Sequence, residues 1–171
     1  MKKRKIKVNN KKQENLKDGK IVLTWKSLSP GERSLVEQCL AVRKRAYAPY
    51  SSFKVGAIAV SSSGKAYAGC NVESADFTLT THAEMNAIDS MVAAGETRLQ
   101  SVVVALSSVS GLPVPCGLCR QKMTEFAVRG DLPVLCVGLG ADGKIKDLFR
   151  IALDRLLPLA FTSSSLGRKK P

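Results

Sequence analysis

Histidine is nearly missing from this chain: His82 is the only one among 171 residues. A metal site built mainly from imidazoles is therefore excluded, and any metal centre must draw most of its ligands from elsewhere. Long apolar runs are missing too. None approaches the roughly 20 residues a bilayer-spanning helix needs, and no apolar segment follows the lysine-rich start, so neither a membrane span nor a secretion signal is expected. The five cysteines are an odd number, and two of them form a C-x-x-C. A disulfide framework does not fit that usage; a reducing, cytoplasmic setting does. Acidic residues are scarce at the ends of the chain. Residues 1–28 carry ten Lys or Arg against Glu14 and Asp18, which makes +8 of the total +13, and Arg168, Lys169 and Lys170 add +3. Residues 29–167 are thus close to neutral. The basicity belongs to an N-terminal extension, 1–28, expected to be disordered, and to a tail, 167–171. Such an arm can contact nucleic acid or simply stand in solvent.

What is present is one histidine in a telling position. Thr81-His82-Ala83-Glu84 precedes Pro115-Cys116-Gly117-Leu118-Cys119 with a helical pattern after each segment. An H-x-E followed by P-C-x-x-C is the signature of zinc-dependent nucleobase deaminases, in which three protein ligands leave the fourth position of the metal to water. His82, Cys116 and Cys119 read as ligands of Zn2+, and Glu84 reads as a free acid that carries protons. Plainer readings exist for each half. Thr81 to Glu84 also fits a T-x-x-E capping box, and a C-x-x-C can be a redox pair or two small buried residues. A structural zinc needs four protein ligands, and no fourth cysteine or histidine has suitable spacing.

Along the chain, Ile21 to Trp25 is a short apolar patch able to dock on the domain. Ser29-Pro30-Gly31-Glu32 opens a helix that runs to Pro49. The period then changes. Val55–Val60 and Ala66–Val72 read as a hairpin around Gly64, His82–Ala94 as a helix closed by Gly95, and Val102–Leu106 as a buried strand. A helix from Cys116 to Val128, a strand at Val134–Gly138 and a helix from Lys146 to Leu157 complete the pattern. The order implies a three-layer α/β/α sandwich with helices on both faces of a mixed sheet. Cys39 and Cys136 read as core residues, and Cys70 as one packed beside Asn71.

Several segments together resemble the small, single-domain cytidine deaminases. They are Ala46-Tyr47-Ala48-Pro49-Tyr50-Ser51-Ser52-Phe53-Lys54-Val55-Gly56-Ala57, Gly69-Cys70-Asn71-Val72-Glu73, Thr81-His82-Ala83-Glu84, Pro115-Cys116-Gly117-Leu118-Cys119-Arg120-Gln121, and Leu156-Leu157-Pro158-Leu159-Ala160-Phe161. The resemblance spans a catalytic domain of residues 29–166 and implies a five-stranded mixed sheet. It also implies hydrolysis of cytidine or deoxycytidine to the uracil nucleoside and ammonia, in pyrimidine salvage, by a homo-oligomer with a tetramer favoured over a dimer. Carried over by position, Phe53 would lie against the pyrimidine, Asn71 and Glu73 would bond the ribose hydroxyls, Ala83 would line the base site, and Phe161 would enter a neighbouring subunit's pocket. Read without the resemblance, Phe53 and Phe161 are core aromatics, and Asn71 and Glu73 are turn residues. The alternatives in substrate are a modified cytosine and a polynucleotide; the alternative in class is a nucleic-acid-binding protein with structural zinc.

The chain departs from the family's usual pattern at Phe77 and Thr78, where tyrosine and glycine are common, and at His82 and Met85, where small tetrameric members carry cysteine and arginine. Two thiolates and a neutral imidazole leave a Zn2+ site formally neutral, whereas three thiolates make it anionic and call for a cation. The two departures at 82 and 85 are therefore coupled in this reading. His82→Cys is expected to cost cytidine turnover, and adding Met85→Arg is expected to restore it; a single variant as active as the parent would refute the coupling.

Overall fold

The computed structural model describes residues 19–108 and 111–168; residues 1–18, and with them most of the basic arm, and Lys169 and Lys170 of the tail lie outside. The capping box at Ser29 forms as its sequence predicts. Ser29 Oγ accepts from the Glu32 N–H at 3.2 Å, and Glu32 Oε2 accepts from the Ser29 N–H at 2.9 Å. Proline at the first helical position completes the start of α1, Pro30–Lys44. The hairpin follows as β2, Gly56–Ser61, and β3, Ala66–Cys70. Then come α2, Ala83–Ala93, β4, Leu99–Ser107, α3, Gly117–Phe126, and β5, Pro133–Leu139.

Two strands differ from the sequence reading. The segment expected as a helix from Lys146 to Leu157 is strand β6, Ile145–Ala152, antiparallel to β5, followed by a single helical turn, α4, Leu153–Leu156. Its apolar residues face both ways: Leu148 joins the core on the α1 side, and Phe149 and Ile151 join the core on the other. A strand buried on both faces loses its alternation and imitates a helical spacing. The second difference is at the start. Lys20–Val22 forms strand β1 along the free edge of β6, and Trp25–Ser27 is a 3-10 turn capped by Thr24. Leu28 is buried at 2% exposure. The last part of the supposed extension is thus part of the domain. A three-residue strand carries too short a pattern to be read, more so when its partner is itself misread.

The sheet consequently has six strands rather than five, in the order β1-β6-β5-β4-β2-β3, with β4 and β5 the one parallel pair among the described residues. Alternate residues of β4 feed separate cores. Val103 and Ala105 pack with Val36 and Cys39 of α1, whereas Val102 and Val104 pack with Ala87 and Ile88 of α2 and Met123 of α3. This is the expected three-layer sandwich.

Close approach between layers is set by glycines. A Cβ on Gly56 would stand 2.4 Å from the Cys39 carbonyl of α1, and one on Gly69 would stand 2.4 Å from both the Ala83 carbonyl and the Ala87 nitrogen of α2. All three neighbours are backbone atoms, which cannot swing aside. Gly69→Ala is expected to lower unfolding stability by roughly 3 kcal/mol, as overpacking against rigid backbone does. Urea melts of the zinc-loaded protein measure it, and a loss under about 0.5 kcal/mol would mean that α2 slides freely on β3.

Candidate active site and metal centre

Two helices begin side by side. His82 is the N-cap of α2 and Cys116 the N-cap of α3, and neither side chain caps its own helix. The capping-box reading of Thr81 to Glu84 therefore fails. The Thr81 N–H donates to the Val72 carbonyl at 3.0 Å, and Glu84 lies inside the first turn of α2 at 5% exposure. Freed from capping, the side chains converge. His82 Nδ1 is 3.2 Å from Cys116 Sγ and 3.3 Å from Cys119 Sγ, and the two sulfurs are 3.6 Å apart. One face of a tetrahedron around Zn2+ has edges of about 3.8 Å between sulfurs and about 3.6 Å between sulfur and nitrogen. The donor triangle is smaller than that face by about 0.2–0.4 Å on each edge, a small expansion short of it, and two thiols with an imidazole are a set suited to zinc.

The electrostatics call for a cation at the same place. Burial, then the Glu84 carboxylate and the Cys116 sulfur, push the Cys119 thiol far above its ordinary range. Burial likewise pushes the Glu84 carboxyl up, against its own backbone N–H, the Cys119 sulfur and the His82 ring, which pull it down. A dication among the three donors stabilises the thiolates and relieves the crowding of acids. The partial positive ends of α2 and α3 act in the same direction. The other buried cysteines belong to no such donor group among the described residues. Cys136 is pushed up to about 12 by burial, and Cys39 donates to the Gly56 carbonyl at 3.2 Å; both are inert core residues, as expected.

Beside the donors lies a cavity of about 420 Å3, lined by Ser51, Phe53, Asn71, Glu73, Phe77, His82, Ala83, Glu84 and Cys116, among others. Its volume suits a small molecule. Leu106, near the carboxyl end of β4, is also in its wall, which puts the cavity where open α/β sheets bind ligands. Of the candidate site residues, two are not in the lining: Cys119, fully buried behind Cys116, and Phe161, which is 58% exposed and stands apart.

Asn71 and Glu73 are buried at 7% exposure and build the wall as much as they face the space. Asn71 Oδ1 accepts from the Val55 N–H at 2.8 Å, and its Nδ2 donates to the Phe53 carbonyl at 2.9 Å. Glu73 accepts from the Tyr50 and Ser51 N–H groups at 3.1 and 3.3 Å and from the Ser51 hydroxyl. Together they hold the 50–55 loop that carries Phe53. Among the described residues two non-glycines have left-handed backbone at φ 57°: Phe77, which lines the cavity, and Ser52, between the lining residues Ser51 and Phe53. Such strain costs of order 1–3 kcal/mol per residue and persists where surrounding bonds over-determine it.

With this geometry the comparisons can be set beside it. Residues 30–134 match the family model for the cytidine and deoxycytidylate deaminase zinc-binding region. The cytidine deaminase of Sporosarcina psychrophila is 33% identical over 133 residues, covering 78% of this chain and 93% of that protein. The crystal structure of cytidine deaminase from Burkholderia pseudomallei superposes with a TM-score of 0.64 at 38% identity, covering 75% of this chain and 97% of that one. For the cytidine deaminase of Mycobacterium tuberculosis the TM-score is 0.61 at 30% identity, over 77% and 97%.

This chain belongs to the cytidine deaminase family.

The cytidine deaminase match takes in both metal segments and the 50–55 loop, whereas β1, β6 and Phe161 lie outside the matched residues. The resemblance includes Ser51, Arg120 and Gln121 but gives them no role; the hydroxyl of Ser51 meets Glu73 in the wall, and the bonds of Arg120 and Gln121 reach the C-terminal segment. A hydroxyl two residues before Phe53 was the available signal for the first. For the other two only the fold shows the partner.

Glu73 titrates in a way that tests the wall. The Ser51 hydroxyl holds its carboxyl below the usual carboxylate range; burial opposes this, and the Tyr50 and Ser51 N–H groups add to the lowering. A carboxylate with a depressed native pKa stabilises the fold fully above its unfolded value of about 4.3, and that stabilisation is lost as pH falls through the native pKa. Glu73→Gln is expected to be less stable than the parent at pH 7, with the gap closing below about pH 4. Denaturant melts at a series of pH values measure it, and a gap independent of pH would show that the charge has no part.

Proposed function

We infer that the chain catalyses the zinc-dependent hydrolytic deamination of cytidine and deoxycytidine to uridine and deoxyuridine, with release of ammonia. The observation that carries this reading is the buried carboxyl of Glu84 lining the same cavity as His82 and Cys116, two members of the donor triangle that Cys119 completes. When bound, Zn2+ supplies the Lewis acidity that makes water a competent nucleophile near neutral pH. Glu84 then does the proton work. It takes a proton from the attacking water and delivers it to ring N3, which makes C4 electrophilic; water oxygen bonds to C4, and a second proton passes through Glu84 to the departing amine, breaking the C4–N bond. A carboxyl whose proton affinity burial raises is suited to holding that proton between the two transfers. Backbone N–H groups in the uncapped first turn of α3 can orient the oxygen.

Asn71 and Glu73 hold the loop that places Phe53 against the base, and the unused hydrogen-bonding capacity of their side chains faces the sugar hydroxyls. The substrate class is a free nucleoside. Phe161, outside its own chain's cavity and exposed, is assigned to the cavity of a neighbouring copy in a homo-oligomer, a tetramer in preference to a dimer. Exposed Leu79, Leu112, Leu118 and Leu159 support burial of further surface on assembly. Free cysteines throughout the described residues, and no described helix long and apolar enough to cross a membrane, support a cytoplasmic enzyme of pyrimidine salvage. A modified cytosine is the second reading, favoured by Phe77, which holds an uncommon backbone conformation at the cavity rim and meets Tyr50 edge-on at 6.0 Å.

Ammonia release from cytidine and deoxycytidine decides between them. Glu84→Ala with zinc retained is expected to lose at least 10²–10⁴-fold in turnover, about the contribution of a positioned general acid–base. Removing the metal with a chelator is expected to abolish activity, and Zn2+ to restore it. A zinc-loaded parent inert on both nucleosides would redirect the reading to modified cytosines.

A further inference from the structure

Beyond α4 the chain has no helix or strand until a 3-10 turn at Ser163–Leu166, and Leu159 and Phe161 in this stretch face solvent. A segment of that kind ordinarily has no fixed course. Here two consecutive side chains of α3 hold it. Arg120 Nε donates to the Pro115 carbonyl at 2.6 Å, next to ligand Cys116, and its Nη1 donates to the Leu156 carbonyl at 2.9 Å, where α4 ends. Gln121 Nε2 donates to the Phe161 carbonyl at 2.6 Å, while Gln121 Oε1 accepts from the Phe161 N–H at 3.3 Å.

The last pair is unusual in what it constrains. A single bond to Phe161 would leave its peptide free to swing. Two bonds, to the N–H and the carbonyl of one residue, pin both sides of its Cα and thus fix the direction of the Cα–Cβ bond. A side-chain amide here does what a neighbouring strand does in a sheet. Nothing in the chain's own cavity uses that constraint, because Phe161 is not part of the lining. A fixed direction for an exposed aromatic ring is useful only to a partner that meets it.

We propose that Gln121 is the positioning residue for Phe161, holding the ring in the orientation in which a second copy of this chain receives it. This rests on the reading of Phe161 as a residue that closes a neighbour's cavity. Gln121 stands two residues after Cys119 on α3, so the helix that supplies two metal ligands to its own site also aims the ring that completes another. Arg120 sets the near end of the same segment by tying it to the residue before Cys116.

The test uses the full-length, zinc-loaded protein with Gln121→Leu, Phe161→Ala and both together, read by amide hydrogen exchange at Phe161, zinc per chain, and KM and kcat for cytidine. Gln121→Leu is expected to keep its zinc, to speed exchange of the Phe161 amide at least tenfold, and to raise KM more than it lowers kcat. The double variant is expected to be no worse than Phe161→Ala alone, since the clamp acts through the ring. Gln121→Glu, which keeps the acceptor for the Phe161 N–H on a polar surface, is expected to fall between parent and Gln121→Leu, and it serves if the leucine variant does not fold. Unchanged exchange at Phe161, lost zinc, or single-variant losses that multiply in the double would each overturn the proposal. If Phe161→Ala leaves KM unchanged, the reading of Phe161 fails; faster exchange in Gln121→Leu then still supports the clamp, and unchanged exchange overturns it.

Discussion

Two thiols and an imidazole are held within 4.8 Å of one another beside a buried carboxyl, at the mouth of a cavity, and the rest of the molecule serves that arrangement. Without a cation it is a costly assembly, because burial raises the proton affinity of Cys119 and Glu84 together, and the Glu84 carboxylate and the Cys116 sulfur raise that of Cys119 further. The fold offsets this by aiming two helix N-termini at one point. Neither His82 nor Cys116 is used to cap its helix, so both backbones keep their first-turn N–H groups directed at the site. That convergence requires α2 to lie hard against β3, and the missing side chain of Gly69 is what permits it.

The substrate side is built by a different device. Asn71 and Glu73 are buried polar groups, expensive unless their bonds are made, and they make them to the backbone of the 50–55 loop. The loop is thereby fixed with Ser52 in a left-handed conformation and Phe53 turned toward the cavity. Side chains that line the cavity and also hold its wall cannot rearrange independently of it. Shape and hydrogen bonding at this site are one property, and a substitution at either residue disturbs both.

The site was legible in the sequence because its chemistry tolerates few residue types. A lone histidine two residues from a carboxyl, with a proline-led C-x-x-C further on, has little else to be, and the structure brings the three donors together. The fold was legible where elements have one wet face. The helix α1, with its Ser29 to Glu32 box, carries such a signal; the β2–β3 hairpin is marked instead by the turn around Gly64, since β2 is buried along almost its whole length. It failed at β6, where Leu148 and Phe149 are buried in opposite cores and the alternation disappears. It failed at β1 for want of length, and it could not show Gln121 and Phe161 as partners, because contacts across 40 residues leave no local pattern.

The replacement at position 85 follows from the same physics as the metal site. Met85 is partly buried against the core cluster that contains Ala83, Ala87 and Cys119. An arginine side chain there would carry its charge into apolar surroundings, a cost repaid only by an anionic partner. A Zn2+ ion among two thiolates and one neutral imidazole offers none, since its charge is already balanced. A methionine meets no such cost: it is apolar, unbranched and able to fill an irregular gap between the first turn of α2 and the ligand Cys119. Met85, next to the donors, thus has a packing role.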